Sequence, residues 1–257
     1  RDYGGGVCVD YYGKSILNIN GGSITMNRTR KVSSSFGHGG GVYVRGNTST
    51  KGKVVMTSGE ISGNTAGLDG TAYKGVGGGV YSEGGSFEIS AGEIKDNTAD
   101  EGGGIYVKGA GATLTMSGGK ISANKAIGAN NTGGRGGGIL IGTGAKLTIS
   151  GGAVVGGSSD AEGNTAQYGG GIYLMKGSEK TEITGGSIAY NKADTGVGGG
   201  IALMQGGAQA EMTGGSITYN KADIGVGGGV YIGDNNSATR SLFTLKDGNI
   251  SYNEAKG

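Results

Sequence analysis

One pattern, stated eight times, fixes most of what this chain can become. A glycine triplet is followed by a short apolar stretch, then a second glycine-containing step, then Ile-x-x-Asn-x-Ala. Gly102-Gly103-Gly104-Ile105-Tyr106-Val107 leads to Leu114-Thr115-Met116-Ser117-Gly118-Gly119-Lys120-Ile121 and on to Asn124-Lys125-Ala126. The triplets begin at Gly4, Gly39, Gly77, Gly102, Gly136, Gly169, Gly198 and Gly227, 25 to 38 residues apart. A repeat of this length is one supersecondary unit that cannot bury its apolar face alone, and stacking such units produces a quasi-one-dimensional solenoid.

The unit must be built of strands. Ile105-Tyr106-Val107 and Leu114-Thr115-Met116 alternate with period two, as short strands with one buried face do. Glycine pairs would interrupt any helix every few residues, at about 1 kcal/mol per glycine. With 64 glycines among 257 residues and no proline, the chain is not collagen, which requires glycine at every third position. The absence of proline suits a backbone whose donors are nearly all needed in ladders. Three short strands per repeat, turned at glycine and asparagine corners, predict an all-β, right-handed, three-sided parallel β-helix. About eight coils at about 4.8 Å each give a rod of roughly 40 Å.

Three inward rows follow. The first is Val7, Val42, Val80, Ile105, Ile139, Ile172, Ile201 and Val230. The second is Ile19, Met56, Ile89, Met116, Ile149, Ile183, Met212 and Leu245. The third is Ile24, Ile61, Ile94, Ile121, Val154, Ile188, Ile217 and Ile250. Asparagine stands three residues beyond the third row at Asn27, Asn64, Asn97, Asn124, Asn191, Asn220 and Asn253, while one coil reaches Asn164 only after seven extra residues. Amides stacked at one corner donate and accept along the axis, so the sequence predicts an asparagine ladder rather than a binding row.

The Gly-Gly-Gly-Ile and Ile-x-x-Asn-x-Ala elements resemble the GGA[ILV] and FxxN repeats of the chlamydial polymorphic outer-membrane proteins. They are also similar to glycine-rich β-helix repeats of large secreted and surface proteins of anaerobic gut bacteria. The resemblance spans essentially the whole chain, with glycine in place of the family's alanine and isoleucine in place of its phenylalanine. It implies a bacterial module, secreted or displayed at the cell surface, that serves as an adhesin segment or stalk.

Charge and cysteine usage narrow the classes. A net charge of +2, from 22 basic and 20 acidic residues, gives no electrostatic case for nucleic acid. No stretch approaches the roughly 20 apolar residues of a membrane span, so no membrane insertion is expected. Cys8, the single cysteine, allows neither an internal disulfide nor a multi-cysteine metal site. The chain opens and closes on repeats, as a single β-helix segment (residues 1–257) cut from a longer protein would, with the remainder continuing or capping the rod.

Candidate sites lie where the repeat varies. Tyr43, Tyr81, Tyr106, Tyr173 and Tyr231 form an outward aromatic row, and Tyr190, Tyr219 and Tyr252 form a second; such rows grip a partner or simply cover a sheet. Three connections between the ladder asparagine and the next triplet are long, and Gly157 to Gly163 is an insertion. Insertions of this kind mark the binding edge of many solenoids. Arg28, Arg30, Lys31, Asp69, Tyr73, Asn130 and Asn131 are the candidates there.

Enzymatic alternatives fare worse. Polysaccharide-processing β-helices need acids and bases converging on one groove, whereas Asp96, Asp100 and Glu101 share one corner and Asp194 and Asp223 repeat a single turn position. The lone His38 reads as structural. Thr115, Ser117, Thr148 and Ser150 suggest a flat array for ice or a crystalline surface, but Glu88, Glu182, Glu211 and Val55 interrupt it. The expectation is a non-catalytic display rod or adhesin segment without cofactor or metal, whose partner is a host or bacterial surface protein or glycan. A carbohydrate-binding or polysaccharide-processing β-helix is the alternative.

Overall fold

The alternating segments do form parallel strands, stacked as a β-solenoid of about seven turns. The computed structural model describes residues 3–10, 15–30, 37–47, 49–67, 75–128, 133–204, 206–233 and 239–257. The first strand of each coil builds an eight-stranded sheet, from Val7–Val9 and Val42–Arg45 through Ile105–Lys108 to Val230–Ile232. Every pairing is parallel and in the register set by the first apolar row, with Val42 opposite Val80 and Ile105 opposite Ile139.

The second and third strands belong to one bent sheet. In five coils they run on as a single strand of nine or ten residues, Ile16–Thr25, Lys53–Ser62, Thr181–Ala189, Gln209–Thr218 and Leu242–Ser251. In the others the strand breaks at the bend, as between Thr113–Met116 and Lys120–Ser122. The register shifts at the bend between Ile183/Thr184 and Thr184/Ser187, as an irregularity in the ladder does when a strand must turn without losing its partner. A third sheet, which period-two alternation is too short to reveal, consists of two-residue strands directly after each ladder asparagine, from Arg28–Thr29 to Glu254–Ala255. Its inward residue is alanine in seven coils and Thr29 in the first.

The three predicted rows line one continuous core except at the last coil, where Leu245 and Ile250 are exposed, and one position within the rows needs correction. Ile121 pairs with Val155, not Val154, and Val155 pairs with Ile188. An additional residue in the turn at Gly151 and Gly152 moves the register by one, leaving Val154 half-exposed. From Val155 to Asn164 is nine positions against three elsewhere, so the insertion has six residues rather than seven.

The ladder joins all eight asparagines. Asn124 Nδ2 and its backbone N–H both donate to Asn164 Oδ1, at 2.9 and 3.0 Å, and the second Nδ2 proton goes to the Ile94 carbonyl at 2.9 Å. The same three bonds recur from Asn64 to Asn220, so these fully buried amides satisfy one another without water.

The glycine triplet makes room for this corner. Gly102 adopts φ 62°, in the left-handed region. A Cβ on Gly103 would stand 2.6 Å from the Gly137 carbonyl oxygen, and one on Gly104 would stand 2.6 Å from the Gly138 oxygen and 3.0 Å from the Asn124 amide. The third glycine, the position at which the chain departs from the GGA pattern, therefore clears space for the ladder.

Candidate functional site

The two tyrosine rows meet opposite fates. Tyr43, Tyr81, Tyr106 and Tyr173 do face away from the tube, yet they are buried, in a second apolar cluster with Leu140 and Ala202. The residue before each of the first six triplets covers them: Tyr3, His38, Val76, Glu101, Arg135 and Tyr168 run as a bridged line over the row. Tyr3 stacks on Tyr43 at 4.5 Å, and His38 packs at 4.9 Å from the Tyr81 ring, which gives it a structural place. Farther along, Arg135 Nε donates to Glu101 Oε1 at 3.0 Å, and its guanidinium lies 5.6 Å from the Tyr173 ring centroid. Burial pushes the Tyr106 hydroxyl up to about 12 and raises Tyr43 and Tyr81 further. These four tyrosines are packing residues here, not an open binding surface; Tyr231 remains half-exposed.

The second row is open. Tyr190, Tyr219 and Tyr252 precede ladder asparagines at the left-handed corner, with φ of 60°, 56° and 56°. Met26, Asp96 and Ala123 take the same conformation at equivalent corners, so the backbone imposes it whatever the side chain. The rings stack at 5.0 and 5.1 Å with interplanar angles of 14° and 8°, and exposure reaches 42% at Tyr219 and 74% at Tyr252.

Beside this stack the outward residues of the two-residue strands and the insertion enclose a groove of about 370 Å³, lined by Asp160, Thr165, Tyr190, Lys192, Lys221, Asp223 and Lys256. Lys192 bonds Asp223 at 2.7 Å and Asp194 at 3.3 Å, and Lys221 reaches Asp160 at 2.5 Å. These carboxylates hold both ammonium groups above their ordinary pKa, with the Asp223 and Asp160 hydrogen bonds the leading causes. The insertion forms the far wall as a single 3-10 turn, Asp160–Glu162. Glu162 anchors it by accepting from Lys120 at 2.6 Å and from the Ser158 N–H at 2.7 Å, which lowers its pKa to about 2.

The groove offers alternating donors and acceptors beside an aromatic wall, an arrangement suited to hydrogen-bonding a polar, uncharged ligand. Among the described residues no group of three or more His, Cys, Asp or Glu converges as metal ligands would. The threonine-bearing face is laced by ion pairs instead of being flat, with Lys53–Glu88 at 2.7 Å and Lys146–Glu182 at 2.9 Å.

Arg28 and Arg30 are exposed at the first coil, far along the axis from this groove, while Lys31, Asp69, Tyr73, Asn130 and Asn131 lie outside the described residues. Sequence reasoning did not single out Lys192, Lys221 and Asp160. The two lysines were visible as one repeat position, directly after the ladder asparagine; nothing in the periodicity places Asp160 against them. No family model, no curated protein and no solved structure matches the chain.

Proposed function

We propose that the chain is a non-catalytic, extracellular bacterial display module: a stiff β-solenoid that presents a recognition groove at its asparagine corner. The observation that carries this is the convergence of the six-residue insertion and the tyrosine stack on one groove. The resemblance of the triplets and the Ile-x-x-Asn element to surface-displayed repeats supports the extracellular bacterial setting. The groove's paired lysines and aspartates favour hydrogen bonding to hydroxyl-rich ligands over proton transfer, since each carboxylate named there already holds an ammonium partner. A glycan is therefore the leading ligand class.

A glycan array probed with the chain, together with a lyase and hydrolase screen on the glycans it binds, tests the proposal. Binding lost in Tyr219→Ala and Lys221→Ala, without turnover, is the expected result. Turnover by the isolated chain overturns the non-catalytic assignment, and binding indifferent to both substitutions overturns the groove.

A further inference from the structure

The groove has a neighbour on the same edge of the rod. Outward residues of the two-residue strands form one row parallel to the rod axis, Lys125, Thr165, Lys192 and Lys221, each opposite the next in successive coils. Thr165, Lys192 and Lys221 line the groove already described. Displaced one coil toward the N-terminus, a second hollow of about 260 Å³ opens beside the same row, lined by Lys125, Ala126, Ile127, Gln167, Asp194 and Thr195.

One ammonium group stands between the two hollows. Lys192 Nζ reaches Asp194 of the second at 3.3 Å and Asp223 of the first at 2.7 Å, so what divides them is a single ion-paired side chain. The insertion runs beside this whole stretch. Its turn is tied to Lys120, in the coil of Lys125, through Glu162, and to Lys221, three coils on, through Asp160. Tyr190 and the insertion precede the row along the chain's path around the rod, whereas Asp194 and Asp223 follow it. The two walls therefore flank a trough whose open direction is the axis. Over these coils Lys125, Lys192 and Lys221 are balanced by Asp160, Asp194 and Asp223, and Lys120 by Glu162, so the trough carries no net charge.

Resting on the reading of the groove as a glycan site, we infer that the second hollow is a further subsite of it. The ligand is then an internal stretch of an unbranched, uncharged oligosaccharide lying parallel to the rod axis. From Lys125 to Lys221 is three steps of about 4.8 Å, a trough of about 14 Å. A pyranose ring in a linear chain is about as long as one coil step, so the trough takes roughly three to four of them. Tyr190 walls one sugar. The lysines, the aspartates and Gln167, whose Oε1 is held by the Gly133 N–H, offer donors and acceptors to the hydroxyls of the others. A single terminal sugar would need only one of the two hollows.

Isothermal titration of the whole chain with size-defined cello-, xylo-, manno- and laminari-oligosaccharides, from disaccharide to hexasaccharide, provides the test. Oligogalacturonates of the same lengths form the acidic arm. In at least one neutral series, affinity should rise at least about tenfold from disaccharide to tetrasaccharide and then level off. Lys125→Ala combined with Gln167→Ala should bring the tetrasaccharide down to about the affinity of the disaccharide, with melting unchanged because neither side chain enters the core. Lys221→Ala should weaken binding at every length. Affinity independent of length, or a rise that ignores the Lys125 and Gln167 substitutions, overturns the inference and leaves the glycan reading standing. So does an array that returns only a branched or terminal epitope while none of the linear series binds. Tighter binding of the oligogalacturonates overturns the uncharged assignment. A blank array removes the glycan reading, and this inference with it.

Discussion

Tyr81 and Tyr219 stand on the same rod, each stacked on tyrosines about one coil away, yet one is fully buried and the other 42% exposed. Their own sequence spacing does not distinguish them. What differs is the neighbour overhead: the residue preceding each triplet folds across the Tyr81 row, whereas the left-handed corner lifts Tyr219 clear of any cover. Periodicity shows which residues stack; a different part of the repeat decides whether the stack is packing or surface.

The firmest way to break this comparison starts beneath both rows, in the tube they share. Ile121→Asp sets an unpaired carboxylate among fully buried aliphatics and should unfold the neighbouring coils, at more than about 4 kcal/mol. Circular dichroism melting checks it, and an unchanged transition would contradict the inward assignment. Next in size, Tyr81→Ala should cost about 3–4 kcal/mol in denaturant unfolding through lost aromatic packing, and Glu101→Ala about 3 kcal/mol or more by stranding the Arg135 guanidinium. Tyr219→Ala should cost less than about 1 kcal/mol in the same assay. Equal losses at Tyr81 and Tyr219 would erase the distinction between the rows.

Two pH effects sharpen it further. The Tyr106 hydroxyl is raised in the folded state, so its contribution is whole below its unfolded value of 10.0 and declines as pH rises from there through about 12. Alkaline unfolding should steepen over that interval and flatten in Tyr106→Phe. Glu162 has the opposite sign. Its lowered pKa gives a contribution present above the unfolded 4.5 and lost as pH falls through about 2. Amide signals of the Ser158–Glu162 turn should therefore persist at pH 4 and change only near the lower value, with little effect on global melting.

Much of the architecture was legible in the sequence because a β-helix repeats its reasons. The aliphatic rows and the asparagine ladder each state one requirement eight times, and a single coil cannot blur it. The exceptions have local causes. Val155 holds the place that spacing assigns to Val154, because one added turn residue shifts register without altering composition. The two-residue sheet at Lys125–Ala126 is too short to alternate. The groove was half visible: Lys192 and Lys221 occupy one repeat position, but Asp160 reaches Lys221 only through the fold of a segment that obeys no period. The first tyrosine row does face away from the tube, but whether it grips a partner or covers a sheet was not legible, because facing away from one core says nothing about a second.

The excursion before Asn164 has a consequence for how such a chain changes over time. Six additional residues leave the strand and return, and Asn164 still takes its place between Asn124 and Asn191 with ordinary bond lengths. The corner thus works as a port: material spliced in between the third strand and its asparagine need only bring the chain back to the same point. The backbone ladders link each coil only to its neighbours, so one coil can acquire such an addition without shifting the register of the others, even where a side chain such as Asp160 reaches Lys221 two coils on. Novelty in this protein can arrive by insertion at a fixed address, while the rod that carries it stays unedited.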